Sequence, residues 1–522
     1  MDKTAAYARL SELAGKGFDF AAALTGGRVR QALVPLGGGL TYSWAAKAVD
    51  GPVLEALQAL SDEQELTGKY RALCEGEVMN TGEGRMVLHH LLRGQLGKPV
   101  IRKGKNLGEF YRGELDRLCA FAEGVRSRAI RGSTGKAFTT AVQIGIGGSD
   151  LGPRALYLAL AQAGGTQPLT AKFISNVDPD DASQVIASCN LEETLFILVS
   201  KSGTTQETLA NEIFVQDKLK KARLDPSKHF VAVTSETSPL AHNPAYLDSF
   251  YIDDFIGGRY SSTSAVGGLV LSLTVGPAAF RELLAGAHEA DRAALEPKIL
   301  ANAALLDALI GVWERNFLGY PATAILPYSQ ALSRFPAHLQ QLDMESNGKR
   351  VNREGRPVSY ATGPVVFGEP GTNGQHSFYQ LLHQGTDIVP LQFVGFAESR
   401  RGDDVEVEGS VSQTKLTANL AAQIVAFAKG RKDPNGNKEF PGGRPSSLIY
   451  GPRLTARALG ALLAHFENKV MFQGFLWNLN SFDQEGVQLG KVLTKQVLAA
   501  ASAGDGSGDA ALDAYSSLLV RS

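Results

Sequence analysis

The chain has little cysteine: among 522 residues there are only Cys74, Cys119 and Cys189. An odd number of widely spaced thiols does not make a disulfide framework, which excludes the small disulfide-stapled secreted domains. No two of these cysteines have the short spacing of a zinc site. We therefore expect a cytoplasmic protein without a cysteine-bound metal.

The chain also lacks an excess of charge of either sign, since 52 Lys and Arg face 53 Asp and Glu. A general nucleic-acid or membrane-surface binder would usually carry a basic face. The N-terminus has no basic start followed by an apolar run, so it does not resemble a signal peptide. One long uncharged stretch, 260–280, is rich in serine and glycine and predicts a buried helix rather than a membrane span. We expect neither nucleic acid nor membrane as a partner.

Periodic apolar positions predict a mainly helical first hundred residues, with segments such as Val53–Leu60 and Arg85–Leu92. From about Thr139, short β-branched runs alternate with helical patterns, which is typical of parallel sheets with crossover helices. The predicted strands fall into two series, Ala141–Ile146, Leu195–Val199 and Phe230–Val233, then Ala322–Leu326, Val365–Phe367, Ile388–Phe396 and Leu448–Tyr450. The chain therefore predicts two α/β units.

A hydroxyl-rich loop, Ser200–Glu207, lies where a predicted strand ends and a helix begins. Free backbone N–H groups and the helix dipole favour an anion at such a point. The simpler interpretation is a capped helix, since Thr204 and Glu207 have capping-box spacing. A cap needs one hydroxyl, whereas this loop has four and a lysine, so the pattern favours a phosphate site.

A second turn, Gly145–Asp150, also follows a predicted strand. A dinucleotide fingerprint would need a glycine where Asp150 stands, and the nucleotide P-loop pattern is absent. A site that grips one phosphate without these motifs indicates a phosphorylated metabolite rather than a nucleotide cofactor.

Four further segments carry groups that could do chemistry, and each also has a simpler interpretation. Glu345 lies in Gln341–Lys349, which by itself predicts a solvated turn with Asn347 and Gly348 at its tip. His376 ends a glycine-rich segment and could be a general acid or base, although a lone histidine more often satisfies a local hydrogen bond. Arg259 would ordinarily form a surface salt bridge, and Lys491 would be a solvated helix lysine.

Taken together, these segments resemble the glucose-6-phosphate isomerase family. The matching blocks are Ile144–Pro153, Ser200–Glu207, Gly257–Ser261, Asp343–Lys349, Gly368–His376 and Phe482–Lys491. The resemblance implies two sugar-isomerase-type (SIS) three-layer αβα domains with parallel sheets. It implies a helical segment at 1–110 packing on the large domain, a small domain at 111–285, the large domain at 286–480 and a C-terminal arm at 481–522.

The resemblance also implies a reaction, the isomerisation of glucose 6-phosphate and fructose 6-phosphate without metal or cofactor, in a homodimer with shared active sites. Glu345 would carry a proton between C1 and C2 through a cis-enediol, Arg259 would stabilise the negative charge, and His376 and Lys491 would help to open the sugar ring. Substrate-binding roles fall to Gly148, Ser149, Ser200, Lys201, Ser202, Gly203, Thr204, Thr205, Thr208, Gln341 and Gln484.

Two other functions are compatible with these residues. Gly203 stands where many members of the family have an aromatic residue, and Glu485 where a tryptophan is common, which leaves a dual phosphoglucose/phosphomannose isomerase open. A non-catalytic sugar-phosphate sensor would keep the Ser200 loop but has no reason to keep Glu345, His376 and Lys491 together. A glutamine-dependent synthase is excluded, because Asp2 follows Met1 where that class has its nucleophilic cysteine.

Overall fold

The structure is a computed structural model that describes residues 1–161, 167–503 and 506–519, with the side chains of 501–503 left aside. The chain divides into two units, Met1–Ser481 and Phe482–Ser522. The first unit holds both large sheets. The second consists, in its described part, of a short turn and two helices.

The α-helices of both units are numbered in chain order, and between about residues 140 and 481 they alternate with strands, as the sequence predicts. They are α1 Ala5–Ala14, α2 Phe20–Ala23, α3 Gly26–Gln31, α4 Gly51–Glu63, α5 Leu66–Cys74, α6 Leu107–Arg126, α7 Leu151–Ala161, α8 Pro179–Ala187, α9 Gln206–Lys221, α10 Ala265–Thr274, α11 Pro277–Ala293, α12 Ala303–Val312, α13 Phe335–Gln340, α14 Tyr379–Gln384, α15 Ser412–Lys429, α16 Ala456–Leu476, α17 Gln488–Ala503 and α18 Ala510–Leu519.

The strands are β1 Leu33–Gly37, β2 Leu40–Ser43, β3 Val78–Asn80, β4 Arg85–Met86, β5 Ile101–Arg102, β6 Lys105–Asn106, β7 Thr140–Ile144, β8 Thr170–Ile174, β9 Thr194–Val199, β10 Phe230–Thr234, β11 Ser249–Tyr251, β12 Ala322–Pro327, β13 Val365–Phe367, β14 Leu391–Phe396, β15 Glu406–Val407, β16 Ser410–Val411 and β17 Ser446–Gly451. Three antiparallel pairs (β3 with β4, β5 with β6, and β15 with β16) form small separate ladders.

The first sheet has the strand order β11-β10-β9-β7-β8, and its strand pairs are parallel. Its central strands are continuous apolar runs, as expected where helices cover both faces; all six residues of β9 are buried. Within this sheet the chain passes first through β7, then through β8 at one edge, and then crosses to β9 on the other side of β7. In such doubly wound sheets, ligands bind at the carboxyl ends of the two strands where the order reverses, here β7 and β9.

The second sheet has the order β1-β2-β17-β14-β12-β13. Its strands β12, β13, β14 and β17 are parallel and repeat the order of the first sheet, with β12 and β14 at the reversal. The hairpin β1–β2 extends this sheet, since β2 pairs antiparallel with β17. The prediction of two α/β units with parallel sheets is confirmed.

Two details of the N-terminal region differ from the sequence prediction. Arg85–Leu92 is not an α-helix: Arg85 and Met86 pair with β3, and His89–Leu92 form a single 3-10 turn. The backbone of Leu88 is instead held by Phe255, whose carbonyl accepts from its N–H at 2.9 Å. The hairpin β1–β2 was not predicted, because strands of four or five residues give too few alternations to detect.

The uncharged stretch at 260–280 forms the buried helix α10 and the beginning of α11, as predicted. Ser264 caps α10 by accepting from the N–H of Val266 at 3.1 Å. In the described part of the chain, none of the helices combines the length and the apolarity that a membrane crossing requires.

Candidate active site

Two loops meet at the reversal point of the first sheet. Ile144, the last residue of β7, is paired with Leu198 of β9, so the Gly145–Asp150 turn and the Ser200–Glu207 loop leave the same edge of the sheet side by side. The pattern of the Ser200–Glu207 loop predicts an anion site, and the family resemblance implies substrate-binding roles for Gly148 and Ser149 of the turn. The fold brings the two loops together.

The Ser200–Glu207 loop folds on itself before α9 begins at Gln206. The Ser200 hydroxyl donates to Thr205 Oγ1 at 3.2 Å, and Ser202 Oγ accepts from both the N–H (3.2 Å) and the hydroxyl (2.9 Å) of Thr204. Among the described residues, no side chain caps the first turn of α9. The capping-box alternative is therefore wrong, and the N–H groups that start α9 remain available for an anion.

Three further residues of this region shape the loop. Gly203 has φ +67°, and a Cβ there would lie 2.2 Å from Ser238 Oγ, so the position has no room for the aromatic side chain common in the family. Thr208 is buried in α9, and its hydroxyl has no hydrogen-bond partner among the described residues. Lys201 is mostly enclosed; burial lowers the pKa of its ammonium, which donates to the Ile256 carbonyl at 3.3 Å.

The Gly145–Asp150 turn lies against the Gly257–Ser261 segment. A Cβ at Gly148 would be only 2.2 Å from the carbonyl carbon of Gly258, so the two backbones approach as closely as glycine permits. Ser149 is half-buried in the same turn, and its carbonyl accepts from Gln143 at 2.7 Å. This close approach sets Arg259 beside the Gly145–Asp150 turn.

Arg259 is buried, with its side chain about 1% exposed, and is not the surface salt bridge that its sequence context alone suggested. Its Nη1 lies 3.3 Å from Glu345 Oε2. Its Nε donates to Ser346 Oγ at 2.7 Å, and its Nη2 donates to the Ser481 carbonyl at 2.6 Å. Each of the three guanidinium nitrogens therefore has a described contact, and one of these contacts is with the candidate base.

Glu345 lies on a π-helical turn, Gln341–Glu345, that continues α13. Gln341 Nε2 donates to Glu345 Oε2 at 3.0 Å, so both side chains point to the same side of the turn. The Glu345 side chain is about 24% exposed, which leaves it accessible to a small ligand. The prediction of a solvated turn is wrong here, because Ser346 and Asn347 are buried and Asn347 donates to the Val470 carbonyl at 2.9 Å.

Two buried residues of the site, Ser346 and Tyr260, were not predicted as site residues. The Tyr260 hydroxyl lies 3.1 Å from Ser346 Oγ, the same oxygen that accepts from Arg259. The only feature of the sequence that could have indicated them is that each directly follows a predicted catalytic residue.

His376 lies at the end of a short 3-10 turn after β13 and is exposed. The preceding residue anchors this turn: Gln375 Nε2 donates to the Tyr328 hydroxyl at 2.7 Å. Within the described residues, no hydrogen bond or ion pair joins His376 to Glu345. A single copy of the chain does not bring these two predicted catalytic groups into contact.

Gln484 and Lys491 belong to the second unit. Gln484 precedes the 3-10 turn Glu485–Val487, and Lys491 lies in the first turn of α17. Both side chains are exposed, as is Glu485. Their predicted roles remain predictions.

The fold is that of a doubly wound α/β protein, and its site pairs a carboxylate with a buried arginine beside loops whose substrate-binding role is predicted from the sequence. The sequence model of the phosphoglucose isomerase family matches residues 43–515, and the chain belongs to this family.

Individual relatives agree. The chain is 64% identical to the glucose-6-phosphate isomerase of Treponema denticola over 471 residues, 90% of each chain. It is 59% identical to that of Treponema pallidum over 528 residues, covering 99% of this chain and 98% of the relative. The crystal structure of a glucose-6-phosphate isomerase from Chlamydia trachomatis superimposes with a TM-score of 0.91 at 44% identity, covering 96% of both chains.

Proposed function

We propose that this chain catalyses the reversible isomerisation of glucose 6-phosphate and fructose 6-phosphate. The observation that carries the proposal is the Glu345 carboxylate held 3.3 Å from the buried Arg259 guanidinium, beside two loops suited to a phosphate. Relatives that are 64% and 59% identical to this chain, over 90% and 98% of their own length, bear the name of this activity.

The phosphate end of the substrate binds at the Ser200–Glu207 loop and the Gly148–Ser149 turn. The hydroxyls of Ser200, Ser202, Thr204, Thr205 and Thr208, with Lys201 and the first N–H groups of α9, supply the donors. Gly203 keeps the loop backbone clear of Ser238. Gripping the non-reacting phosphate orients the reacting end of the sugar, which lowers the entropic part of the barrier.

The reacting end meets Glu345. Once the ring is open, Glu345 removes the proton from C2 of the aldose and returns it to C1, which gives the ketose. The cis-enediolate between these steps carries negative charge, which Arg259 stabilises. A positioned base contributes about 10²–10⁴-fold, and a fixed positive charge in a buried site adds to this. Gln341 keeps Glu345 oriented and, with Gln484, binds sugar hydroxyls.

Ring opening falls to His376 and Lys491. Because His376 is exposed and makes no described contact with Glu345, the proposal includes a homodimer in which the His376 segment of one subunit enters the pocket of the other. A glycolytic isomerase of this kind works in the cytoplasm, on a free hexose 6-phosphate.

The test is a steady-state assay that starts from fructose 6-phosphate and follows glucose 6-phosphate and mannose 6-phosphate separately. We expect glucose 6-phosphate as the main product. Comparable rates to both products would indicate the dual isomerase instead, and no turnover would indicate a sensor.

Glu345→Gln is the matched variant, since it keeps shape and removes the base. We expect kcat to fall by at least about 10²-fold while affinity for a phosphorylated pentonate, a mimic of the enediolate, is largely kept. Near-normal turnover in this variant would exclude Glu345 as the base.

A further inference from the structure

A narrow cavity of about 30 Å³ lies behind the π-helical turn that carries Glu345. Its walls come from that turn, from α12 and the residues after it, from β14 and from α16. Nothing in the proposed reaction uses it. Its polar lining includes Lys47, Glu314, Asp343, Gln392, Lys469 and Gln473.

Two hydrogen-bond acceptors at this cavity have no partner among the described residues: Asp343 Oδ1 and Gln473 Oε1, both fully enclosed atoms. Leaving a buried acceptor unsatisfied is unfavourable, and more so for a charged one. A cavity of this volume holds about two water molecules, each of which needs at least two polar partners. Asp343, Gln473 and Lys469 all line the cavity and offer the polar atoms that this requires.

Buried cations and a second carboxylate line the cavity together with Asp343. Lys469 of α16 donates to Gln392 Oε1 at 2.9 Å and lies 3.2 Å from Asp307 of α12. Across the cavity, Lys47 and Glu314 form a second pair at 2.9 Å, so these two charges compensate each other. Burial raises the pKa of Asp343 to about 6, and the Lys469 charge opposes that rise.

We propose that Asp343 is a positioning residue for the isomerase: water in the cavity bridges its carboxylate to Lys469 and Gln473, and this fixes the turn that presents Glu345. The proposal rests on the function proposed above. Asp343 is buried while Gln341 and Glu345 turn toward Arg259, so one short turn is anchored on one side and carries the base on the other.

The coupling between the two sides is direct, because only Met344 separates Asp343 from Glu345. A displacement of a catalytic group by about 1 Å can cost 10²-fold in rate. Substrate is gripped elsewhere, by the phosphate loop, so a loosened turn should lower the rate of proton transfer and leave substrate affinity nearly unchanged.

Asp343→Asn tests this, with Met344→Leu on the same turn as the matched control. We expect Asp343→Asn to lower kcat by about 10–100-fold with the KM for fructose 6-phosphate changed less than about 3-fold. Affinity for the phosphorylated pentonate should fall with kcat, because a loosened turn also displaces Gln341 and the Ser346 hydroxyl that holds Arg259, both of which Glu345→Gln leaves in place. Affinity for inorganic phosphate should not change. Met344→Leu should keep wild-type kcat.

A second variant reaches the cavity from its opposite wall in case Asp343→Asn folds poorly. A Cβ at Gly311 of α12 would lie 2.3 Å from Gln473 Nε2, so Gly311→Ala displaces Gln473 without changing any charge. We expect the same loss of kcat at nearly constant KM. The positioning role would be overturned if both variants keep wild-type kcat. It would also be overturned if KM rises by as large a factor as kcat falls.

The two proposals fail separately. An inactive wild-type protein would refute the isomerase function, while the pentonate and phosphate affinities of the variants would still test the role of Asp343. An active wild-type protein with fully active variants would refute the role of Asp343 alone.

Discussion

Arg259, next to the candidate base, both carries a positive charge and holds several parts of the site in place. Arg259 contacts Glu345, Ser346 and the Ser481 carbonyl from three different nitrogens. A lysine offers one ammonium on a flexible stem and cannot reproduce this planar fork. The arginine therefore fixes the site as well as supplying charge.

For Arg259→Lys, we expect kcat to fall by about 10²–10³-fold with a smaller change in KM, because the enediolate loses a pre-oriented partner. Steady-state kinetics with fructose 6-phosphate would measure this. Arg85→Lys, in a half-exposed ion pair with Glu83, is the control and should be fully active. Equal kcat in both variants would contradict the role of Arg259.

A second prediction at this scale concerns stability and pH. Because burial raises the pKa of Asp343 from 3.8 to about 6, its neutral form is favoured in the folded state. Its contribution to stability is then fully present below pH 3.8 and is lost as pH rises through 6, a change of about 3 kcal/mol. Asp343→Asn cannot ionise and should not show this loss.

The measurement is the difference in free energy of unfolding between wild type and Asp343→Asn, from denaturant titrations between pH 4 and pH 8. The difference should shift in favour of the variant as pH rises to about 6 and then level off. A difference that is constant with pH would mean that Asp343 titrates alike in the folded and unfolded chains.

At the scale of elements, the site depends on turns that touch through glycine. Gly148 meets Gly258, where a Cβ would be 2.2 Å from a backbone carbon. Gly257 next door has φ −67°, and a Cβ there would meet only Tyr260 at 3.6 Å, an ordinary contact. The structure therefore has no room for a side chain at Gly148 but has room for one at Gly257.

We expect Gly148→Ala to push the two turns apart and lower kcat/KM by about 10²-fold, since it shifts the anion turn relative to Arg259. Gly257→Ala should retain activity within a few-fold of wild type. Kinetics and thermal unfolding of both variants would check this. Comparable effects of the two substitutions would show that the close approach is not what matters.

The elements also show what sequence can predict. Strands such as β9 are continuous apolar runs and were predicted within a residue or two, as was the position of the loop between β9 and α9. The π-helical turn at Gln341–Glu345 was mistaken for a solvated turn, because its polar residues look exposed until α16 covers Asn347. Local pattern gives the residue types, but burial of polar groups depends on contacts far along the chain.

At the scale of the whole molecule, the exposed position of His376 leads to a prediction about assembly. If each pocket takes His376 from the other subunit, two inactive variants can complement each other. Mixed dimers of Glu345→Gln and His376→Ala contain one pocket with both defects and one with neither.

After co-refolding equal amounts of these two variants, we expect about a quarter of wild-type activity, since half of the dimers are mixed and each has one intact site. Glu345→Gln with Arg259→Ala is the control: both residues belong to the same pocket, so every site stays defective. Recovery in neither mixture, or in both, would argue against sharing of His376 between subunits.

The two sheets also differ in how much of the chain they need. The first is complete within residues 140–251, whereas the second joins Tyr42 to Ile449, a register that spans most of the polypeptide. On the ribosome, the first sheet can form while the chain is half made. The hairpin β1–β2 is synthesised first among the large-sheet strands, yet its edge cannot be covered until β17 emerges. For most of translation, therefore, the edge of β2 that later pairs with β17 stays unpaired. Early aggregation or chaperone binding would begin at this edge.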